Sequence, residues 1–271
     1  MIYKEGNQLD LGLNRKSVVV MAASKGLGKA TALEFAKEGA SVFISSRSEA
    51  ELKKAVEEIR SASGNEQVFY QVCDITNPKD IQSLIKEVVN QNGTVDVLVN
   101  NAGGPPAGTF DKFQDDDWQN AFELNLLSFI RTIREVLPYM KEQKSGRIVN
   151  FASSSIKQTI DNLLLSNTFR AGIVGLVKGL SQELGEHNIL INTLGPGRIG
   201  TDRLTELDQV RAEKLGVSVK DVQQQAERSI PMGRYGEPEE FAKVAVFLGS
   251  GANTYLTGQS LVVDGGMVKA L

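Results

Sequence analysis

With one cysteine in 271 residues, the chain has no intrachain disulfide and no cysteine-rich zinc site. Histidine is almost missing too. His187 stands alone, and no Gly-x-Ser-x-Gly elbow occurs, so a serine hydrolase and a histidine-built metal centre are both excluded. Neither charge is in marked excess: 30 Lys and Arg against 33 Asp and Glu give a net -3 with the signs interspersed, which leaves no basic footprint for nucleic acid. No apolar run is long enough to cross a bilayer, and the polar stretch from Met1 to Lys16 carries no signal-peptide core. Linkers, repeats and low-complexity segments are also absent. These absences predict a cytoplasmic protein that works on a small molecule, without metal, membrane or nucleic acid. They predict a single domain over residues 14–271, with 1–13 as a flexible or surface-packed lead-in.

What is present is a repeating alternation. Short apolar runs predict strands at Val18–Ala22, Ser41–Ser45, Gln67–Cys73, Val95–Asn100, Arg147–Ala152, Ile189–Leu194 and Ser260–Val263. Most are apolar throughout, the mark of strands covered on both faces, hence of a parallel sheet. Helical periodicity fills the gaps at Leu27–Glu38, Glu49–Ala62, Lys79–Asn92, Trp118–Lys141, Leu163–Glu186 and Pro238–Ser250. Gly39, Gly64 and Gly93 sit where helices should stop. The pattern predicts an α/β fold: a Rossmann-type, doubly wound parallel sheet of about seven strands with helices on both faces.

The first strand runs into Ala22-Ala23-Ser24-Lys25-Gly26-Leu27-Gly28, and a helix starts there. Strand, small-residue turn, helix is the setting of a dinucleotide loop, with backbone N–H groups and the helix dipole turned towards a pyrophosphate. The other strands also end on unusual residues: Ser45-Ser46-Arg47, Asp74, Asn100-Asn101-Ala102-Gly103, Ser153-Ser154-Ser155 and Gly195-Pro196-Gly197. Ligands of open parallel sheets bind at those ends, so one crevice can collect all of them.

Taken with Glu123-Leu124-Asn125, Gly146–Asn150, Pro196–Thr201 and Val263–Gly266, these motifs resemble the short-chain dehydrogenase/reductase family, close to the 3-oxoacyl-acyl-carrier-protein reductase group, over residues 14 to 268. The resemblance implies NAD or NADP in an extended pose. Ala22, Ser24, Lys25, Gly26, Leu27 and Gly28 would form its turn. Asp74 and Ile75 would meet the adenine. Asn101, Ala102 and Gly103 would line the adenine ribose and phosphates, while Pro196, Gly197, Ile199 and Thr201 would run along the nicotinamide amide. After the second strand an acid would select NAD. Arg47 stands there instead, and Lys25 adds a second cation, so NADP(H) is expected over NAD(H).

The family motif Tyr-x-x-x-Lys, however, is broken. Counted from Ser153, its register falls on Ser166-Asn167-Thr168-Phe169-Arg170, with Ser166 for the tyrosine and Arg170 for the lysine. A phenol near pKa ~10 trades a proton with a carbonyl oxygen; a serine alcohol is a far weaker acid, and an arginine does not release its proton. The implied catalytic set is therefore Ser153 (or Ser154) orienting substrate, Asn125 holding a helix or water position, Arg170 gripping the cofactor ribose, and Ser166 with no assigned role. Lys157, Asp161 and Tyr235 are the substitute acids within reach in sequence. For the first two, a solvated charge and a helix N-cap are the plainer readings; for Tyr235, surface or packing. The expected function is an NADP(H)-dependent oxidoreductase between a carbonyl and an alcohol, with a nucleotide-binding sensor or scaffold as the alternative. Residues 201–235, polar and helical, read as a substrate lid. Ala171, Gly175 and Gly179 recur every four residues and predict a homodimer or homotetramer.

Overall fold

The computed structural model describes residues 3–4 and 8–270. Part of the expected lead-in thus lies outside the described residues. Its remainder contains two short strands, β1 (Tyr3–Lys4) and β2 (Gln8–Leu9), paired antiparallel. The main chain then enters the sheet through β3 (Ser17–Val20), with β4 (Ser41–Ser46), β5 (Val68–Val72), β6 (Val97–Asn100), β7 (Gly146–Phe151), β8 (Ile189–Pro196) and β9 (Ser260–Val263) following. All seven are parallel, in the order β5-β4-β3-β6-β7-β8-β9.

The apolar strands predicted for a two-sided sheet divide their side chains as a pleat requires. Val18 and Val20 pack on one face with α1 (Gly26–Lys37), α2 (Glu49–Ser63) and α9 (Pro238–Leu248). Val19 and Met21 pack on the other with α3 (Pro78–Asn92), α5 (Ser128–Glu142) and α6 (Leu164–Leu184). From β3 the chain winds outward to β5, then returns to β6 and winds the other way. That reversal opens a crevice beyond the carboxyl ends of β3 and β6.

One predicted helix needs correction. The helix expected over Trp118–Lys141 is two helices, α4 (Asp115–Phe122) and α5, joined by one π-helical turn at Glu123–Leu127. An extra residue in a turn does not disturb apolar periodicity enough to be seen in sequence. In the polar stretch read as helical, α7 (Asp202–Leu215) half-buries Leu204 and Leu207 and exposes Val210 and Leu215, whereas Asp208 and Ala212 are its buried residues. α8 (Val219–Arg228) packs against α7 after β8.

Candidate active site

Steric fit explains the glycine turn. A Cβ on Gly28 would stand 2.7 Å from the Ala22 carbonyl oxygen, 2.8 Å from Asn101 Nδ2 and 2.9 Å from Ala23 Cα. Only glycine lets α1 start this close to β3. Asn101 Nδ2 donates to the same Ala22 oxygen at 3.0 Å, which locks the loop after β6 onto the turn. Ala22 adopts φ +49, in the left-handed region that costs an L-residue about 1–2 kcal/mol. Gly26 faces Thr201 across the crevice, with Thr201 Cγ2 at 3.9 Å from its would-be Cβ. Leu27 packs on the core beneath the turn and Ser24 is half-buried.

The first turn of α1 fits an anion. Its N-cap, Lys25, makes no side-chain cap, and the turn carries no acid; α2, α3, α7 and α8, in contrast, are capped by Ser48, Asn77, Thr201 and Ser218. The leading N–H groups of α1 are left for a ligand. Lys25 and Arg47 are exposed, and their side chains make no hydrogen bond or close ion pair among the described residues. Burial works to raise the Asp74 carboxyl, but bonds from the Thr76 hydroxyl and N–H, together with the Arg47 charge, outweigh it and hold it low. Asp74 therefore stays an anionic acceptor beside Arg47. Ile75 is buried in the core, and Ala102 packs against that core from the rim; Gly103 is exposed, with nothing within 4 Å of an added Cβ. At the far side, Gly197 closes on Asp264, whose Cβ would lie 2.5 Å from a side chain there, and donates to the Val263 carbonyl at 2.9 Å. Pro196 is half-buried, Ile199 buried in a bridge to Gly236, and the Thr201 hydroxyl caps α7.

The other half of the crevice is built differently. Ser153 follows β7 with its Oγ accepting from the Ser155 N–H at 3.1 Å, leaving its own O–H to donate. Ser154 and Ser155 are buried, and Ser153 is the half-buried one of the three serines. Asn125 lies in the π-turn, fully buried; its Nδ2 donates to the Gly103 carbonyl at 2.7 Å while its Oδ1 has no partner. Ser166 and Arg170 lie one turn apart at the start of α6, both buried. Ser166 makes no side-chain hydrogen bond among the described residues. Arg170 Nη1 donates to the Phe151 carbonyl at 2.8 Å, its guanidinium stands 6.0 Å from the Phe129 ring centroid, and its Nε is unpaired. Among the described residues it therefore contacts the end of β7 and the floor below.

The proposed substitutes do not stand as acids. Lys157 and Asp161 are exposed, and the N-cap of α6 is Leu163 rather than Asp161. Asn167 does the tying there, bonding both the N–H and the carbonyl of Ile160. Tyr235 is held elsewhere: its hydroxyl donates to Asp208 at 2.8 Å, and Arg198 bonds both. Burial, then that bond to Asp208, pushes its phenol up to about 12, away from proton exchange near neutrality. Burial likewise pushes the Cys73 thiol up to about 12. His187 precedes β8, at the amino ends of the strands and away from the crevice.

Sequence reasoning missed the Arg198–Asp208–Tyr235 cluster. Arg198 stood inside a recognised motif, but no pattern marks Asp208 as the buried residue of a polar helix. It missed as well a ladder of buried amides: Thr132 Oγ1 donates to Asn100, Asn100 to Asn150 at 2.9 Å, and Asn150 to the Asn192 carbonyl at 3.3 Å. A cleft of about 400 Å³ between α1, α2 and the start of α9 shares only Gly26 and Thr201 with the turn and loop residues above. The chemistry converges at the strand ends, so that cleft is not the active crevice.

Residues 21–268 match the family model described as enoyl-(acyl carrier protein) reductase. The chain is 34% identical over 258 residues to the 3-oxoacyl-(acyl-carrier-protein) reductase FabG of Thermotoga maritima, covering 94% of this chain and 99% of that one. It superposes on YwfH, an NADPH-dependent reductase involved in bacilysin biosynthesis, with TM-score 0.91 and 31% identity, covering 95% of this chain and all of the other (100%). It also superposes on a 7α-hydroxysteroid dehydrogenase complexed with NADH and 7-oxo glycochenodeoxycholic acid, with TM-score 0.86 and 33% identity, over 97% and 98% of the two chains. Sheet order, glycine turn and strand-end motifs agree with these matches: the chain belongs to the short-chain dehydrogenase/reductase family, oxidoreductases that work between CH–OH and C=O with NAD(P).

Proposed function

We propose that the protein is an NADP(H)-dependent oxidoreductase interconverting a carbonyl and an alcohol, with a proton-transfer apparatus that differs from the family motif. The observation that carries the cofactor reading is the uncapped start of α1, together with the exposed, unbonded side chains of Lys25 and Arg47. Two cations facing a ribose 2′-phosphate form charge-assisted pairs that a ribose hydroxyl does not. A bound nicotinamide would supply or accept the hydride at the carbonyl carbon. Around it, Gly26, Leu27 and Gly28 would cradle the pyrophosphate, Asp74 and Ile75 border the adenine, and Asn101, Ala102 and Gly103 line the ribose and phosphates. Pro196, Gly197, Ile199 and Thr201 would flank the amide.

On the substrate side, the Ser153 O–H donates to the carbonyl oxygen and orients it. Asn125 fixes the floor through Gly103. Arg170 brings fixed positive charge to the end of β7 and can bond a cofactor ribose, but it relays no proton. Residues 201–235 serve as a lid over the substrate. A homodimer or homotetramer belongs to the same proposal, supported by the exposed α6 stripe of Ala171, Gly175 and Gly179, where the two glycines have no neighbour within 4 Å of an added Cβ. Light scattering tests it.

Fluorescence titration with NADPH and NADH tests the cofactor half. NADPH is expected to bind about tenfold more tightly, and Arg47→Glu to erase that preference, a change of about 1.4 kcal/mol. Equal affinities in both proteins would overturn the NADP assignment. A ketone panel followed by NADPH oxidation tests turnover. Tight binding with no substrate turned over would favour the sensor or scaffold.

A further inference from the structure

Arg170 and Arg147 both reach backbone carbonyls, but they are satisfied very differently. Arg147 is half-buried and bonds the carbonyls of Ser250, Asn253, Gly146 and Asn188. Arg198 and Arg131 pair with Asp208 and Glu123 at 3.0 and 2.6 Å. Arg170 is 5% exposed, bonds only the Phe151 carbonyl, and has no carboxylate against it among the described residues. A guanidinium carries five N–H donors. Burial of its charge is uncompensated and pulls its pKa down to about 10. A buried cation in this condition is destabilising unless an anion joins it.

The same corner offers further donors. The 21-residue helix α6 begins at Leu164; its N-cap, Leu163, makes no side-chain cap, and its first turn carries no acid. The Leu164 N–H reaches the Gly108 carbonyl at 3.4 Å, but those of Leu165 and Ser166 have no acceptor inside the helix. The Ser166 side chain, 8% exposed, is unbonded one turn above Arg170. A dinucleotide's phosphates do not answer this charge, because their cradle is at α1 on β3, and β6 separates β3 from β7. Ribose hydroxyls are neutral and leave the charge standing.

We propose that Arg170, together with the open first turn of α6 at Ser166, is a carboxylate subsite, and that the substrate is an oxo acid whose carboxylate occupies the place where the family motif has its tyrosine. This rests on the reading of the crevice as a carbonyl-reducing site. Planar guanidinium and planar carboxylate match in a two-pronged, charge-assisted pair. The alcohol product is then the corresponding hydroxy acid.

Thermal melting of the full chain tests the subsite, with and without saturating NADPH. The probes are pyruvate, 2-oxobutyrate, phenylpyruvate and acetoacetate, each against its methyl ester, with inorganic phosphate at equal ionic strength. At least one acid is expected to raise the melting midpoint and to bind at least tenfold more tightly than its ester. Arg170→Met is expected to melt about 2–4 °C higher than the wild type without ligand, because it removes the uncompensated charge, and to lose the response to acid. Arg170→Lys keeps part of that response. Acids and esters acting alike, phosphate acting as strongly as the acids, or Arg170→Met melting lower or still responding would each overturn the subsite. NADPH binding with no response to any acid sinks the subsite alone. A response to acid without NADPH binding sinks the functional reading and leaves the subsite in place.

Discussion

The two halves of the crevice satisfy their polar groups differently. On the β3–β6 side, contacts are backbone-made and tight: Gly28 against Ala22, Asn101 bridging to the turn, Thr76 closing on Asp74. On the β7–α6 side, more buried polar atoms are left over among the described residues: Asn125 Oδ1, Ser155 Oγ and Arg170 Nε have no partner, against Thr31 Oγ1 on α1, with Thr193 Oγ1 further along in β8. Unspent buried polar atoms are expensive in a native protein, so they mark where a ligand or water completes the structure. The β3–β6 half is held by close backbone fit; the half beside α6 depends on side chains, with Arg170 buried and its Nε unpaired.

The largest test of this contrast restores the motif. Ser166→Tyr with Arg170→Lys is expected to raise kcat/KM for simple neutral ketones by about 10²–10⁴, the usual worth of a general acid, as followed by NADPH oxidation. No gain would mean that the register from Ser153 is wrong. Gly28→Val attacks the other half. Its side chain meets backbone on two sides, so a loss of about 1–3 kcal/mol in stability is expected, with NADPH affinity falling in titration. Ala22→Gly works in the opposite direction: relieving the left-handed alanine at φ +49 should add about 1 kcal/mol, read as a higher urea midpoint. The smallest effect concerns Tyr235. The Tyr235 phenol is raised from 10.0 to about 12, so the fold favours its neutral form. Its contribution is complete below pH ~10 and is lost as pH rises towards the folded value. Alkaline unfolding of the wild type should therefore show a dependence in that window that Tyr235→Phe lacks.

Much of the fold was legible because it follows from burial. β9 falls on the predicted Ser260–Val263, and α2 begins at the predicted Glu49, both set by apolar runs and a capping serine. The glycines predicted to end helices do so at Gly64 and Gly93, in left-handed conformation. The positions of the strand-end motifs were legible for the same reason: parallel strands of similar length bring their ends together. What could not be read was side-chain direction. The burial of Asp208 depends on Arg198 and Tyr235 arriving from distant segments, and the lone state of Arg170 depends on which acids do not arrive. The π-turn that buries Asn125 was hidden because its flanking helices share one apolar pattern.

The amide ladder from Thr132 through Asn100 and Asn150 to Asn192 crosses β6, β7 and β8 below the crevice floor. Asn100 and Asn150 are direct partners in the strand register, so a slip by one residue would leave both stranded in an apolar interior. The ladder acts as a keel: it holds the strand tips level however the loops above them are rewritten. A family scaffold ballasted in this way can exchange the residues at α6 without capsizing the nucleotide cradle two strands away.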